Sequence, residues 1–299
     1  MKRLFVRVCA AAVAAAALSG CAALDAHEAG SVPRGLTPSE RLRVADAGEV
    51  LVGRCMNRAG FAYWTSPRTG PEESRSLGYV ADDVRWAREH GYGSRIRERE
   101  DRERRSDANA RYRASLSPER RAAYSEALDG GSAAAVLSAV LPGGSGTIRK
   151  RLGGCSAEAE KQLYGDAAAW FRADKVVGNL QPLYVPQLMR DARFTASLSD
   201  WSRCMARSGH AYPDLPAARA AATRRGQGLD PERAFSVETR IAVAEARCAR
   251  ESSLAAVGRE RETHYRDGLR ERYGDAMDTH RRLEFAAYER AVTVTGPRS

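Results

Sequence analysis

Residues 54–63 read RCMNRAGFAY and residues 203–212 read RCMARSGHAY, so the chain carries nearly the same ten-residue stretch twice. Seven of the ten positions are identical without a gap, an agreement that chance seldom produces. In each stretch a cysteine and a methionine fall in the last turn of a predicted helix, and a glycine follows where left-handed backbone is favoured. The shared residues include Arg54, Cys55, Met56, Gly60 and Tyr63 in the first copy and Arg203, Cys204, Met205, Gly209 and Tyr212 in the second.

Each copy is followed by two shorter elements in the same order. The first is a cysteine with a glutamate three residues later, and the second is the sequence YGDA. They are found at Cys155, Glu158 and 164–167 after the first copy, and at Cys248, Glu251 and 273–276 after the second. The common order predicts two copies of one unit. We expect the glutamate of each unit to form a structural ion pair with Arg54 or Arg203, and not to serve as a catalytic carboxylate.

The N-terminus has the layout of an exported protein. A positively charged start and an apolar run lead to Leu18-Ser19-Gly20-Cys21, which resembles the lipobox of bacterial lipoproteins. The resemblance implies a signal peptide over 1–20, a diacylglyceryl group on Cys21, a flexible tether over 21–36, and a place on the outer face of the cytoplasmic membrane. One alternative is an uncleaved anchor, which needs about 20 apolar residues. The other is secretion with a free cysteine.

The remaining cysteines indicate disulfides. Of the six in the chain, one would leave with the signal peptide and one would carry the lipid. The other four form an even set in an oxidising compartment, which favours two disulfides. Spacing alone leaves three connectivities open, but closure of each repeated unit on itself predicts Cys55–Cys155 and Cys204–Cys248. A zinc site is the less favoured alternative because no CxxC pair is present.

The charge balance is basic but modest. The chain has 48 Lys+Arg against 38 Asp+Glu, a net charge of +10. Loss of residues 1–20, which contain Lys2, Arg3 and Arg7, leaves 45 basic against 38 acidic side chains, a net charge of +7. This excess favours an anionic lipid or wall surface as partner. Export argues against nucleic acid.

Helical periodicity dominates the rest of the chain. Thr37, Pro38 and Glu40 form a predicted capping box, and no segment shows a convincing alternation of apolar and polar residues. The fold class is therefore predicted as all-α, a bundle of two pseudo-repeated, disulfide-closed units over 37–182 and 183–299. Further predictions concern the connections. We expect a flexible link at 142–146, breaks at Pro182 and Pro186, one helix over about 187–208, and loop and short helix over 213–231. The long helical pattern from Ser236 is either one helix or two helices that meet near Gly274.

Two groups of residues have competing interpretations. Residues 95–113 are almost wholly charged, which predicts a solvated helix with internal ion pairs or, alternatively, a patch for an anionic surface. The four tryptophans, Trp64, Trp86, Trp170 and Trp201, are expected in the core or between helices, with a binding groove at Trp64 and Tyr63 as the alternative. His210 replaces Phe61 of the first copy, so we expect it to have a packing role.

No motif for catalysis is found. The sequence contains no phosphate-binding glycine loop, no HExxH helix, no EF-hand spacing and no GxSxG elbow. No two of the five histidines lie three or four residues apart. We therefore predict a protein that is not an enzyme, with no catalytic residue, metal or cofactor.

The segment Trp201-Ser202-Arg203-Cys204-Met205, with the later glycine, tyrosine and helical cysteine, resembles lipoproteins and secreted proteins of high-GC Gram-positive bacteria that have no assigned activity. The first copy departs from the pattern, with Val52 in place of the tryptophan. The resemblance implies export, a helical fold and disulfides.

Together these observations predict a lipid-anchored interaction module at the cell envelope. Its partner would be an envelope protein or an anionic wall or lipid surface. A small-solute receptor is a less favoured class, because the usual receptors are two-lobed α/β proteins and no strand pattern is present. The main alternative is an envelope hydrolase or transferase whose site forms only in three dimensions. A concave pocket with inward carboxylates would favour this alternative, whereas a convex bundle with an apolar or arginine-rich face would favour the interaction module.

Overall fold

The computed structural model describes residues 32–65, 69–74 and 78–296. This part of the chain is mainly α-helical, as predicted. In chain order it contains α1 (Pro38–Arg58), α2 (Pro71–Ser74), α3 (Val84–His90), α4 (Ser94–Arg105), α5 (Ala108–Ser115), α6 (Pro118–Asp129), β1 (Ala135–Val140), β2 (Thr147–Leu152) and α7 (Gly154–Tyr164). These elements are followed by α8 (Ala167–Val177), α9 (Gln181–Leu188), α10 (Ala192–Arg207), α11 (Leu215–Gly226), α12 (Pro231–Glu251), α13 (Leu254–Asp267) and α14 (Arg270–Thr295). The predicted signal peptide, Cys21 and the tether up to residue 31 lie outside the described residues.

The predicted start of α1 is confirmed. The Thr37 hydroxyl accepts a hydrogen bond from the backbone N–H of Glu40, and the Glu40 carboxylate accepts one from the backbone N–H of Thr37. The Glu40 carboxylate also pairs with Arg34, and this hydrogen bond lowers its pKa to about 2. Pro38 follows at the first helical position, where its missing N–H costs nothing. The sequence therefore determines where the first helix begins.

A two-stranded antiparallel hairpin was not predicted. Strand β1 pairs with β2 from Ala135 opposite Leu152 to Val140 opposite Thr147, so residues 142–146 lie in its turn and are not a flexible link. The apolar alternation that marks a strand is interrupted in β2, where Lys150 lies on the inward face between Ile148 and Leu152. Lys150 pairs there with Glu160 of α7. The ion pair replaces the apolar contact that periodicity would have revealed.

Several predicted helix boundaries are wrong. Both predicted proline breaks lie inside α9: Pro182 is in its first turn, where proline is tolerated, and Pro186 is in its interior. The predicted helix over 187–208 is instead the end of α9 followed by α10, which Asp191 caps. The predicted loop and short helix over 213–231 is confirmed, since α11 lies there between two loops. Gly274 lies inside α14, and the junction is at Gly268, which ends α13.

The charged stretch at 95–113 forms two helices and not one. Ser106 ends α4, and the Asp107 carboxylate caps α5 by accepting from the backbone N–H of Asn109. Of its ion pairs, Arg104–Asp101 is internal to α4, whereas Arg95–Glu232 and Arg99–Glu73 join α4 to α12 and α2, so the prediction of internal pairs holds only in part. Ile96 of α4 is buried, so this helix also contributes to the packed interior.

The largest buried cluster lies among α10, α11, α12 and α13 and includes Trp201 and Ile241. A second cluster joins α1, α7 and α14 through Leu51, Leu163 and Ala287. Helix α14, at the end of the second predicted unit, thus packs on helices of the first. Duplication of whole units stays a prediction.

No helix in the described ranges has both the length and the apolar composition needed to cross a bilayer.

Candidate functional site

The two predicted disulfides are confirmed. Cys55 is bonded to Cys155 and Cys204 to Cys248, with Cα atoms 5.5 Å apart in each pair. The first joins the end of α1 to the start of α7, and the second joins α10 to α12. Each disulfide therefore fastens a helix that carries one copy of the repeated stretch to the helix that carries the following CxxE element.

A glutamate lies against each disulfide, but its arginine partner is not the predicted one. At the first disulfide, Glu158 Oε2 is 3.3 Å from Cys55 Sγ and Glu158 Oε1 is 2.7 Å from Arg58 Nη2. At the second disulfide, Glu251 Oε2 is 3.4 Å from Cys204 Sγ and Glu251 Oε1 is 2.6 Å from Arg207 Nη2. The predicted pairs with Arg54 and Arg203 are wrong because residues three apart share a helix face, which places Arg58 and Arg207 beside the cysteines.

The glycines of the repeated stretch end their helices in the same way. Gly60 and Gly209 both have a φ of 79°, in the left-handed region. The next residue donates its N–H to the carbonyl of the buried methionine, from Phe61 to Met56 at 3.0 Å and from His210 to Met205 at 2.8 Å. This is the bonding of a Schellman motif. The repeated residues thus stabilise helix ends and disulfides.

The tyrosines and the histidine of the stretch lie in packed surroundings. Tyr63 is half-buried and donates its hydroxyl to Glu49, whereas Tyr212 is buried in the largest cluster. The ring centroids of His210 and Tyr212 are 6.3 Å apart. Burial lowers the pKa of His210, followed by the charges of Arg225 and Arg240. The side chain is therefore held in its neutral form, which is consistent with packing.

The tryptophans fall into two groups. Trp86 and Trp201 are buried, as predicted, and Trp170 stacks between Tyr164 and His280. Trp64 is 46% exposed, so the prediction that it lies in the core is wrong. It packs edge-on against Tyr112, and Asn109 holds both its N–H and its carbonyl. Tyr63 is not among the described residues that line the cleft beside Trp64, so a groove formed by both stays a prediction.

A cavity of about 750 Å³ lies between α3, the start of α4, α11 and α12. Its walls combine apolar side chains with charged ones, which include Asp83, Arg95, Arg97 and Glu98, and the loop before α12 contributes Leu229. The apolar side chains that line it include Trp86, Ala87, Ala222, Leu229, Phe235 and Ala242. A volume of this size is typical of sites for small molecules.

The floor of this cavity carries a buried carboxylate. Glu245 of α12 has no exposed surface. It accepts a hydrogen bond from the Tyr92 hydroxyl at 2.6 Å and from Arg219 Nη2 at 2.8 Å. Burial raises the pKa of Glu245, and the positive charge of Arg219 opposes that shift. Burial and the neighbouring Glu245 charge raise the pKa of Tyr92, so its hydroxyl keeps its proton and acts as a donor.

A second carboxylate shapes the rim. Glu238 Oε1 accepts the backbone N–H groups of Tyr92 at 2.6 Å and of Ser94 at 3.2 Å. The loop can wrap this oxygen because Gly91 has a φ of 60° and no side chain; a Cβ there would lie 2.8 Å from it. Arg95 stacks 3.8 Å above the Phe235 ring at the same side of the cavity.

The arrangement suits a ligand with an apolar body and one neutral polar group. Arg219 and Glu245 already balance each other, so an additional charge on the floor would be desolvated without a counter-ion. A hydroxyl, amide or carbonyl group can exchange hydrogen bonds with Tyr92 and Arg219 without that cost. The apolar side chains of the lining provide contact area for the remainder.

Sequence reasoning missed this cavity because its polar residues are far apart in the chain. Tyr92, Arg219 and Glu245 belong to no common motif. One signal was available: Glu245 lies among Ile241 and Cys248 on the apolar face of a long helix, where a charged residue is unusual. A single misplaced charge indicates a buried partner, but it does not reveal which one.

Among the described residues, no group of three or more His, Cys, Asp and Glu side chains is placed to hold a metal ion. No family model, curated protein or solved structure matches the chain.

Proposed function

We propose that the protein is a lipid-anchored binding module at the cell envelope whose cavity holds a small amphipathic molecule. The observation that carries the proposal is the buried Glu245, fixed by Tyr92 and Arg219 in a cavity whose lining combines apolar and polar side chains. Cys21 would hold the chain at the membrane through its diacylglyceryl group, and residues 21–36 would give the body reach from the surface.

The ligand that best fits is a neutral compound with an aromatic or aliphatic body and a hydroxyl, amide or carbonyl group. The polar group would reach the Tyr92–Glu245–Arg219 floor, and the apolar part would lie between Trp86 and Phe235. Such compounds partition into membranes, so a module anchored at the bilayer surface would encounter them there.

The test is a binding screen on the chain carrying Cys21→Ser, which cannot be lipidated. Thr223 is an exposed residue of α11 that lines the cavity, so Thr223→Trp should fill part of the space that a ligand would occupy. Thr195 is a matched control, because it is also exposed and its hydroxyl also bonds the carbonyl four residues earlier.

We expect a neutral amphipathic compound to bind the parent chain and Thr195→Trp with equal affinity, and Thr223→Trp at least about tenfold more weakly, a loss of about 1.4 kcal/mol. Titration calorimetry measures all three. Equal binding to Thr223→Trp would place the ligand elsewhere and contradict the proposal.

A second candidate is a hydrolase or transferase of the envelope. It is favoured by the presence of both Glu238 and Glu245 in one cavity. Both carboxylates already accept hydrogen bonds from the protein, which supports a binding role over general acid–base catalysis. Mass spectrometry of the bound compound after prolonged incubation separates the two, since an enzyme would change its mass and Glu245→Gln would stop the change.

A further inference from the structure

The hairpin presents an unusual outward face. Val136 and Val140 of β1 are 58% and 67% exposed, more than any other large apolar side chain in the described residues. Both lie on the same face of the hairpin, because they are four positions apart in a strand and successive side chains alternate between its two faces. The register places Val136 opposite Arg151 and Val140 opposite Thr147, with Arg149 between these two positions on β2.

This face is cationic without any acidic counterpart in its own segment. No aspartate or glutamate occurs between Asp129 and Glu158, in a chain of which 29% of residues are charged. Arg149 has no carboxylate within salt-bridge distance in the part of the chain that the structure describes, whereas Arg151 forms an exposed salt bridge of 3.6 Å with Asp129 at the boundary of the segment. Two exposed valines and two arginines therefore share one surface.

The rest of the hairpin is held by the body of the protein. On the opposite face Ala139 is buried, and Lys150 pairs with Glu160. At the turn, Leu141 donates its N–H to Gly146, and the backbone N–H of Gly143 contacts the Tyr273 hydroxyl at 3.3 Å. These contacts hold the hairpin on the body of the protein and leave its outward face exposed to solvent.

We propose that the outward hairpin face, defined by Val136, Val140, Arg149 and Arg151, docks on an anionic lipid bilayer. A bilayer interface offers phosphate groups and apolar carbon side by side, which is the combination that this face requires. The arginines would bind lipid phosphates, and the valines would enter the region beneath the headgroups. This contact is independent of both the cavity and the predicted lipid on Cys21.

The experiment is co-sedimentation of the unlipidated Cys21→Ser chain with vesicles of one part phosphatidylglycerol to three parts phosphatidylcholine. Arg149→Gln with Arg151→Gln removes the two charges, and Val136→Ser with Val140→Ser removes the apolar groups. Arg102→Gln with Arg105→Gln is the matched control, because it removes two exposed arginines from the charged helix α4. Circular dichroism confirms that each variant is folded.

We expect the parent chain to bind these vesicles and to bind pure phosphatidylcholine far less. Each hairpin arginine should contribute about fivefold, so the arginine pair should weaken partitioning by about 25-fold. The valine pair should weaken it by about tenfold, and the α4 control by less than about twofold. The proposal is overturned if the parent chain does not distinguish the two vesicles, if the hairpin variants bind as the parent does, or if the α4 control alone loses binding.

Discussion

Glu245 is the residue on which the cavity depends. A carboxylate without solvent exposure is stable only with partners, and here the Tyr92 hydroxyl and the Arg219 guanidinium supply them. Removing one member of such a group costs more than removing both, because the remaining polar group keeps its desolvation cost and loses its partner. The floor should therefore behave as one energetic unit.

Replacing Arg219 alone tests that coupling. We expect Arg219→Met to lower the free energy of unfolding by about 3 kcal/mol, because it leaves the fully buried Glu245 without its counter-ion. Arg219→Met combined with Glu245→Leu should recover most of the loss. Urea unfolding of the three chains measures both values, and a double variant no more stable than the single one would show that the two residues act independently.

The glutamates beside the disulfides have a measurable chemical consequence. A thiolate that attacks Cys55 Sγ or Cys204 Sγ must approach a carboxylate 3.3 or 3.4 Å from the sulfur. Like charges repel, so each glutamate should slow reduction of its own disulfide. We predict that Glu158→Gln speeds reduction of Cys55–Cys155 about threefold and leaves the other disulfide unchanged.

Glu251→Gln should have the reciprocal effect on Cys204–Cys248. Peptide mapping after timed exposure to dithiothreitol resolves the two bonds within one sample, so each serves as the control for the other. Unchanged rates in both variants would mean that the carboxylates do not influence attack on the sulfur.

Among the elements, the ends of α1 and α10 are built alike. Each ends in a glycine with left-handed backbone, followed by a hydrogen bond back to a buried methionine. A side chain at that φ is strained, whereas a glycine inside a helix only adds backbone entropy to the unfolded chain. Glycines at the two kinds of position should therefore respond oppositely to the same substitution.

Gly60→Ala and Gly209→Ala should each lower the free energy of unfolding by about 1 kcal/mol. Gly48→Ala is the control, because Gly48 lies inside α1 and a Cβ there would meet only Leu163 at 3.6 Å, an ordinary contact. It should raise stability by up to about 1 kcal/mol. Chemical unfolding gives the free energy of unfolding of the three variants. If Gly48→Ala were destabilised as much as the other two, the two kinds of glycine position would not differ.

The helices that could be predicted from sequence are those whose ends are capped by residues close in the sequence. Thr37 for α1, Asp83 with Gly91 for α3, and Ser117 with Pro118 for α6 each satisfy or terminate backbone groups within a few residues. The hairpin was missed because Lys150, whose partner is ten residues away, interrupts its alternation. The cavity was missed because Tyr92, Arg219 and Glu245 are far apart in the sequence and come together only when the chain folds.

In the whole molecule, the two disulfides and α14 connect distant parts of the chain. Cys55–Cys155 spans 100 residues and Cys204–Cys248 spans 44, while α14 packs on α1, α7 and α8. Pairing of the cysteines could be predicted from the repeated stretch, because it assigned one pair to each copy. The packing of α14 could not, because its apolar residues suit many partners equally.

The central claim is that the cavity of the native protein holds a small neutral amphipathic molecule. Native mass spectrometry of the protein, purified from the cells that make it, tests the claim most directly. We predict an additional non-covalent mass on the parent protein and on Thr195→Trp, and its loss from Thr223→Trp. The same additional mass on Thr223→Trp, or none on the parent protein, would contradict the claim.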